Sequence, residues 1–209
     1  IYNFRAANAI PIRRNYSLAS NPDKDEHLYF TVRLATPPLG LYVHAGSGSS
    51  YIFSLEPGDI VTAIGPFGEF HLKDTEREMV YLGGGAGMAP LRSHLSTLFE
   101  TRNTSNLVSY WYGARSLQEL FYQDYFEGLA NKHDNFSFHV ALSEPLPEDD
   151  WNSYTGFIHE VLKREYLDSH PNPREIEYFL CGPPVMVQAA SKMLSDLGVD
   201  PDQISFDEF

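Results

Sequence analysis

The order of elements predicts an α/β C-terminal domain with a five-stranded parallel sheet, preceded by a small antiparallel β-barrel. Three observations carry this. From Glu78 onward, apolar strand-like runs alternate with helical stripes four times and close on a fifth strand, the pattern of a parallel sheet covered on both faces. Before residue 73 the apolar runs are short, punctuated by Pro-Pro, Gly-Ser and Pro-Gly, with little helical periodicity. Between them, EMVYLGGGAGMAPLRSHL (78–95) sets a strand, a glycine turn and a helix in succession, where open α/β sheets bind ligands.

The β domain is assigned to residues 1–73, with strands HLYFTVRLA (27–35), SYIFSL (50–55) and DIVTAIGPFG (59–68). It is short for a barrel, and its opening strands are expected to precede Ile1. The α/β domain is assigned to 74–209. After strand EMVYL, a helix starting at Pro90 carries Leu91, Leu95, Leu98 and Phe99 on one stripe. Strand LVSYWYGA (107–114) and helix LQELFYQDYFEGLA (117–130) follow, then strand FSFHVAL (136–142), an acidic loop and a helix around FIHEVLKREYL (157–167). Strand EYFLCG (177–182), helix VMVQAASKMLSDL (185–197) and strand QISFDEF (203–209) complete the series. Gly198 suits the C′ position, because it accepts a left-handed backbone without a Cβ penalty.

Fifteen basic against 28 acidic residues, a net charge of −13, argue against nucleic acid or an anionic membrane surface as the main partner. A local basic spot can still hold a small anion. The single cysteine, Cys181, excludes an internal disulfide and any cysteine-based metal or iron–sulfur site built from this chain alone. No run approaches the length of a transmembrane helix. The chain opens Ile1-Tyr2-Asn3, so anchors or further cofactor domains are expected upstream. His159-Glu160 lacks the second histidine of H-E-x-x-H, and Glu148-Asp149-Asp150 reads as a solvated loop.

The glycine turn reads G-x-G-x-x-P from Gly85 through Gly87 to Pro90. Glycines at a strand's carboxyl end let the backbone approach a pyrophosphate, and the helix start adds N–H groups and a positive dipole end. The bland alternative is a tight turn with glycines for packing. After the second strand stands Tyr112-Gly113-Ala114-Arg115-Ser116, with no carboxylate until Glu119, so the usual acidic ribose ligand is missing. Arg115 either contacts ribose or phosphate, where its charge favours a 2′-phosphate, or caps the sheet edge.

Three motifs lie in the β domain. Arg14, Tyr16 and Ser17 form R-x-Y-S; guanidinium, ring and hydroxyl can serve a phosphate, a flat heterocycle and a ring nitrogen, or can be an ordinary edge strand. Gly46-Ser47-Gly48-Ser49-Ser50 is either an anion-binding loop or a flexible linker. Gly65-Pro66-Phe67-Gly68 is a turn presenting an aromatic ring.

These motifs in this order, with Cys181-Gly182-Pro183-Pro184 and an aromatic terminus, resemble the ferredoxin-NADP reductase superfamily. Longer stretches, including SSYIFSL (49–55), REMVYLGGGAGMAPLRSHL (77–95), PEDDWNSYTGFIHEVL (147–162) and EYFLCGPPVM (177–186), resemble the branch of flavin-containing NADH dehydrogenase subunits of sodium-translocating quinone reductases. The resemblance implies FAD held by Arg14, Tyr16, Ser17, Gly46, Ser49 and Ser50, with Gly65, Phe67 and Gly68 on the flavin side. It implies NADH lined by Gly84, Gly85, Ala86, Gly87, Met88, Pro90, Arg115, Cys181, Gly182 and Pro183. Ser17, Tyr16, Cys181 and Phe209 would surround the reacting rings, with Phe209 over the flavin face opposite Tyr16. It further implies a [2Fe–2S] centre in an upstream domain, other membrane subunits as partners, and a place on the cytoplasmic face of the bacterial inner membrane. Hydride transfer between stacked rings needs distance control and no acid–base pair, in keeping with a sequence that offers no triad. Two rivals share the motifs: a soluble NAD(P)H-dependent flavin reductase serving an oxygenase or a ferredoxin, and a non-enzymatic nucleotide-binding module.

Overall fold

The computed structural model describes residues 13–35 and 46–208. Its centre is a six-stranded, wholly parallel sheet in the order β4-β3-β2-β1-β5-β6. The strands are β1 (Met79–Gly84), β2 (Val108–Ala114), β3 (Phe136–Leu142), β4 (Tyr154–Thr155), β5 (Glu177–Gly182) and β6 (Ile204–Glu208). Chain order runs outward from β1 to β4, then returns to place β5 on the other side of β1. The β1–β5 junction is therefore the topological switch point, where a crevice opens beyond the carboxyl ends. The expected five strands are present; the sixth, β4, is a two-residue pairing of Tyr154 and Thr155 with Ala141 and Leu142. Its shortness hides it in an acidic loop.

Helices α2 (Met88–Ser96), α3 (Gln123–Lys132), α4 (Ile158–Leu162) and α5 (Pro184–Asp196) cover the sheet. β1 and β5 are buried along their whole length, as a central parallel strand with two covered faces requires. One face packs Val80, Leu82, Trp111 and Tyr178 against α4 and α5 residues such as Val161, Leu162, Val187 and Leu194. The other packs Met79, Tyr81, Tyr110 and Phe179 against Leu91, Leu95 and Phe126. Each such side chain removed from water stabilises the fold by about 1.5–3 kcal/mol. Leu91, Leu95, Leu98 and Phe99 are all buried, as their spacing predicts.

The helices depart from expectation at their ends. The one predicted from Pro90 begins at Met88, behind a turn of 3₁₀ helix at Gly85–Gly87, so Pro90 is its third residue. It then widens into a π-helical stretch, Thr97–Thr101, where the Arg102 N–H reaches the Thr97 carbonyl at 2.9 Å. Ser96 and Thr97 hydroxyls both donate to the Ser93 carbonyl, at 3.1 and 2.8 Å, competing with the regular ladder there. The helix expected over 117–130 starts only at Gln123, after one 3₁₀ turn. The expected 157–167 helix is α4 followed by a π turn at Lys163–Leu167. α5 closes as anticipated: Gly198 has φ +78°, and N–H groups of Gly198 and Val199 bond to Ser195 and Leu194 carbonyls.

The β domain differs more. SYIFSL is no strand; Ser47–Phe53 is a helix, α1. The Gly46 N–H bonds the Ala35 carbonyl at 3.0 Å and the Ser49 hydroxyl accepts from the Ala35 N–H at 3.0 Å, so Ala35 pins the residues that open the helix. Residues 59–68 carry no regular structure, and 27–35 contributes one antiparallel bridge, Leu18 to Phe30. The expected strands there therefore do not form a ladder among the described residues, and residues 1–12 and 36–45 of the expected barrel lie outside them.

Candidate functional site

The glycine turn occupies the switch point. Gly83 and Gly84 end β1, beside Cys181 at the end of β5. The packing and ligand readings of the turn divide between its glycines. A Cβ on Gly87 would lie 2.2 Å from the Cys181 carbonyl oxygen and 2.6 Å from the Gly182 nitrogen, so α2 can start only by pressing bare backbone on β5. A Cβ on Gly84 would meet the Met186 sulfur at 2.5 Å. Gly85 alone faces open space, in the left-handed region at φ +54°. Its carbonyl is fixed by the Tyr112 hydroxyl, which donates at 3.0 Å. Ala86 is half-buried, Met88 and Pro90 are buried, and the exposed Pro183 caps α5 across the crevice from them. Gly182 lies in the same wall, its would-be Cβ 3.1 Å from the Gly84 carbonyl oxygen.

The R-x-Y-S segment reaches this same end of the sheet. The Ser17 hydroxyl donates to the Asp207 carboxylate on β6, at 3.4 Å, and Asp207 is the register partner of Cys181. Burial, with the Asp207 charge adding to it, pushes the Cys181 thiol well above its ordinary range, so the sulfur stays protonated. Arg14 and Tyr16 meet the Gly/Ser segment: a Cβ on Gly48 would lie 2.6 Å from Arg14 Cγ and 3.0 Å from the Tyr16 hydroxyl. The exposed Arg14 guanidinium donates to the Arg13 carbonyl. Ser49 donates to the Gly46 carbonyl at 3.2 Å, whereas Ser50 Oγ is buried with no partner. Two motifs well separated in sequence thus form one contiguous surface. Gly65 and Gly68 lie in an exposed loop, and the Phe67 ring is 84% exposed, away from these contacts. Phe209 lies outside the described residues.

Arg115 does not stand alone. It is exposed, and its guanidinium pairs with Glu119 at 2.6 Å, with Arg33 from the N-terminal region 3.8 Å from the same carboxylate. The first carboxylate after β2, Glu119, is thus engaged by two guanidinium groups. Glu119, Asp207 and Tyr112 join this end of the sheet although no motif in the sequence marks them. The i,i+4 spacing of Arg115 and Glu119 is a usable signal; the approach of Asp207 to Ser17 spans 190 residues and has none. Nor is the acidic loop merely solvated, since Asp149 accepts the N–H groups of Leu117 and Leu146.

A parallel sheet with a glycine turn at its switch point defines a nucleotide-binding α/β domain of the kind that serves redox enzymes. The chain belongs to the oxidoreductase NAD-binding domain family, whose family model matches residues 81–192. The model of the oxidoreductase FAD-binding domain matches residues 3–72. Among curated relatives, the chain is 52% identical over 200 residues to a subunit of the Na(+)-translocating NADH-quinone reductase of Klebsiella pneumoniae, covering 95% of this chain and 49% of the relative. It is 49% identical over 210 residues to the corresponding subunit of Yersinia enterocolitica, covering 100% and 52%. The chain spans about half the length of these relatives. Among solved structures it is similar to a cytochrome P450 reductase of Amycolatopsis, GcoB, at 32% identity and TM-score 0.77, covering 95% of this chain and 56% of that one. It shares its fold with the cytochrome b5 reductase domain of Ulva prolifera nitrate reductase, at 22% identity and TM-score 0.78, covering 97% and 81%. Among the described residues no helix is long and apolar enough to cross a membrane.

Proposed function

We propose that this chain is the FAD- and NADH-binding module of a sodium-translocating NADH:quinone reductase, divided near residue 73 into a flavin half and a nucleotide half. It takes a hydride from NADH and passes electrons singly to a [2Fe–2S] centre held elsewhere in a longer polypeptide. Other membrane subunits are its partners, at the cytoplasmic face of the inner membrane. The observation that carries the reading is the Ser17–Asp207 contact beside Cys181, which brings the R-x-Y-S segment to the mouth of the glycine turn.

The residues present fit FAD. The Ser50 hydroxyl is buried and unpartnered, and Gly48 is kept free of a Cβ by Arg14 and Tyr16. Arg14, Tyr16, Ser17, Gly46, Ser49 and Ser50 would hold it, and the chemistry it supplies when bound is hydride acceptance with release of single electrons. The open side of Gly85 admits the NADH pyrophosphate, while Gly84 and Gly87 keep the walls close enough to shape the crevice. The protonated Cys181 thiol acts by shape and polarity at the nicotinamide, and Asp207 orients the Ser17 hydroxyl. Arg115, paired to Glu119, lies at the adenosine end.

The test is an anaerobic spectrum of the purified chain with FAD added. Retained flavin absorbance that bleaches on adding NADH supports the reading. Retention of NADH without flavin would leave a nucleotide-binding module. The likeness to a cytochrome P450 reductase favours a second reading, the reductase component of an oxygenase. The full-length reading frame separates the two, because an apolar anchor and a cysteine motif upstream belong to the membrane complex.

A further inference from the structure

We infer that Arg92, on α2, is a positioning residue that fixes the R-x-Y-S half of the site against the glycine turn; the inference rests on the FAD and NADH reading above. Arg92 lies one helical turn beyond Met88 and so belongs to the nucleotide half. Its guanidinium donates to the Ala19 carbonyl and lies 3.9 Å from Asp25, both on the segment that directly follows Ser17. Three tyrosine rings surround it: Tyr29 at 5.8 Å from that same segment, and Tyr122 and Tyr125 at 5.0 and 5.1 Å from the start of α3. The side chain is 14% exposed. In such a site each cation–π contact is worth more than on the surface.

The rest of the segment follows the same track. Ala19, Ser20 and Asn21 are buried; Asn21 donates to the Thr101 hydroxyl at 3.0 Å, Lys24 pairs with Glu100 at 2.6 Å, and Thr31 Oγ1 approaches the Met88 sulfur at 3.9 Å. Residues 19–31 therefore form a strap along α2 and its π-helical extension, with Arg92 gripping it from beneath. The Lys24 pair is exposed and weak by comparison. The strap begins two residues after Ser17. A shift in its seating moves the flavin-side residues relative to Gly85 and Cys181, and a displacement of about 1 Å at reacting atoms costs on the order of a hundredfold in rate. A planar fork that both stacks and donates does this; the ammonium of lysine does not.

The experiment compares wild type with Arg92→Met and Arg92→Lys in the FAD-loaded chain. Single-turnover flavin reduction at saturating NADH is expected to fall at least tenfold in both, with NADH dissociation constant and flavin content within about twofold. Hydrogen exchange without nucleotide is the second readout: the Ala19 amide, bonded to the Tyr29 carbonyl at 2.8 Å, should exchange faster while amides of β1 and β5 are unchanged. Rate and exchange both unaltered would overturn the inference, as would full rescue by lysine. Should either Arg92 variant fail to fold, Tyr29→Ala, which removes one wall from the strap side alone, is expected to show the same pair of effects, and their absence there would equally overturn it. If wild-type flavin is not reduced by NADH, the functional reading fails instead, while the exchange result still decides whether Arg92 seats the strap.

Discussion

At the scale of single residues, the proposed function puts the Arg115–Glu119 pair at the adenosine end, where its charge would act on a 2′-phosphate. A free arginine there favours a 2′-phosphate; one held at 2.6 Å by a carboxylate that also lies 3.8 Å from Arg33 keeps only part of that pull, since the three groups together carry one net positive charge. Glu119→Gln is expected to improve NADPH relative to NADH by about tenfold in kcat/KM, and Arg115→Glu to worsen NADPH further, both read by steady-state kinetics with each nucleotide. An unchanged ratio would move this pair away from the 2′ position. His94 makes a second case. It lies stacked on Phe70 at 4.9 Å and edge-on to Phe179, its Nδ1 without a partner, and burial holds its pKa down at about 4. The folded state thus disfavours the imidazolium that the unfolded chain accepts near pH 6.5. Stability from this group is full above about pH 6.5 and is lost as pH falls toward 4, a loss of about 3 kcal/mol. Urea midpoints measured across that window should fall less steeply in His94→Leu than in wild type.

At the scale of elements, the junction of α2 with β5 is the tightest contact around the site. Gly87→Ala places a methyl group 2.2 Å from the Cys181 carbonyl, against backbone that cannot swing aside. It should cost about 2 kcal/mol or more and lower the melting temperature by several degrees, while weakening NADH binding more than FAD binding. Calorimetry and nucleotide titration check the two halves of that expectation. The elements of the sheet are legible because parallel strands buried on both faces, such as VYLGG and YFLCG, leave unbroken apolar runs between helical stripes. Helix ends are less so: Ser96 and Thr97 redirect the end of α2 through hydroxyl bonds to Ser93, which apolar periodicity does not encode. α1 reads as a strand in the sequence because Tyr51-Ile52-Phe53 carries strand-forming residues. The contact of Gly46 and Ser49 with Ala35 at its start is not local in sequence, and propensity yields to it.

At the scale of the whole molecule, the glycine turn and the R-x-Y-S segment can each be recognised as motifs, while their meeting is implied by the family resemblance and not by spacing or periodicity. That meeting depends on contacts across 190 and 73 residues of sequence, Ser17 with Asp207 and Arg92 with Ala19, and the local pattern around either partner does not point to the other. The charge of −13 leaves the nature of the ligand open and only narrows the partners. The central claim is that both segments serve one reacting centre, and its most direct test is rapid-mixing reduction of the FAD-loaded chain by NADH in wild type and Ser17→Ala. The account predicts that the variant's flavin is reduced at least tenfold more slowly at saturating NADH, with the NADH dissociation constant changed by less than about threefold. Equal rates, or a loss confined to NADH affinity, would contradict it.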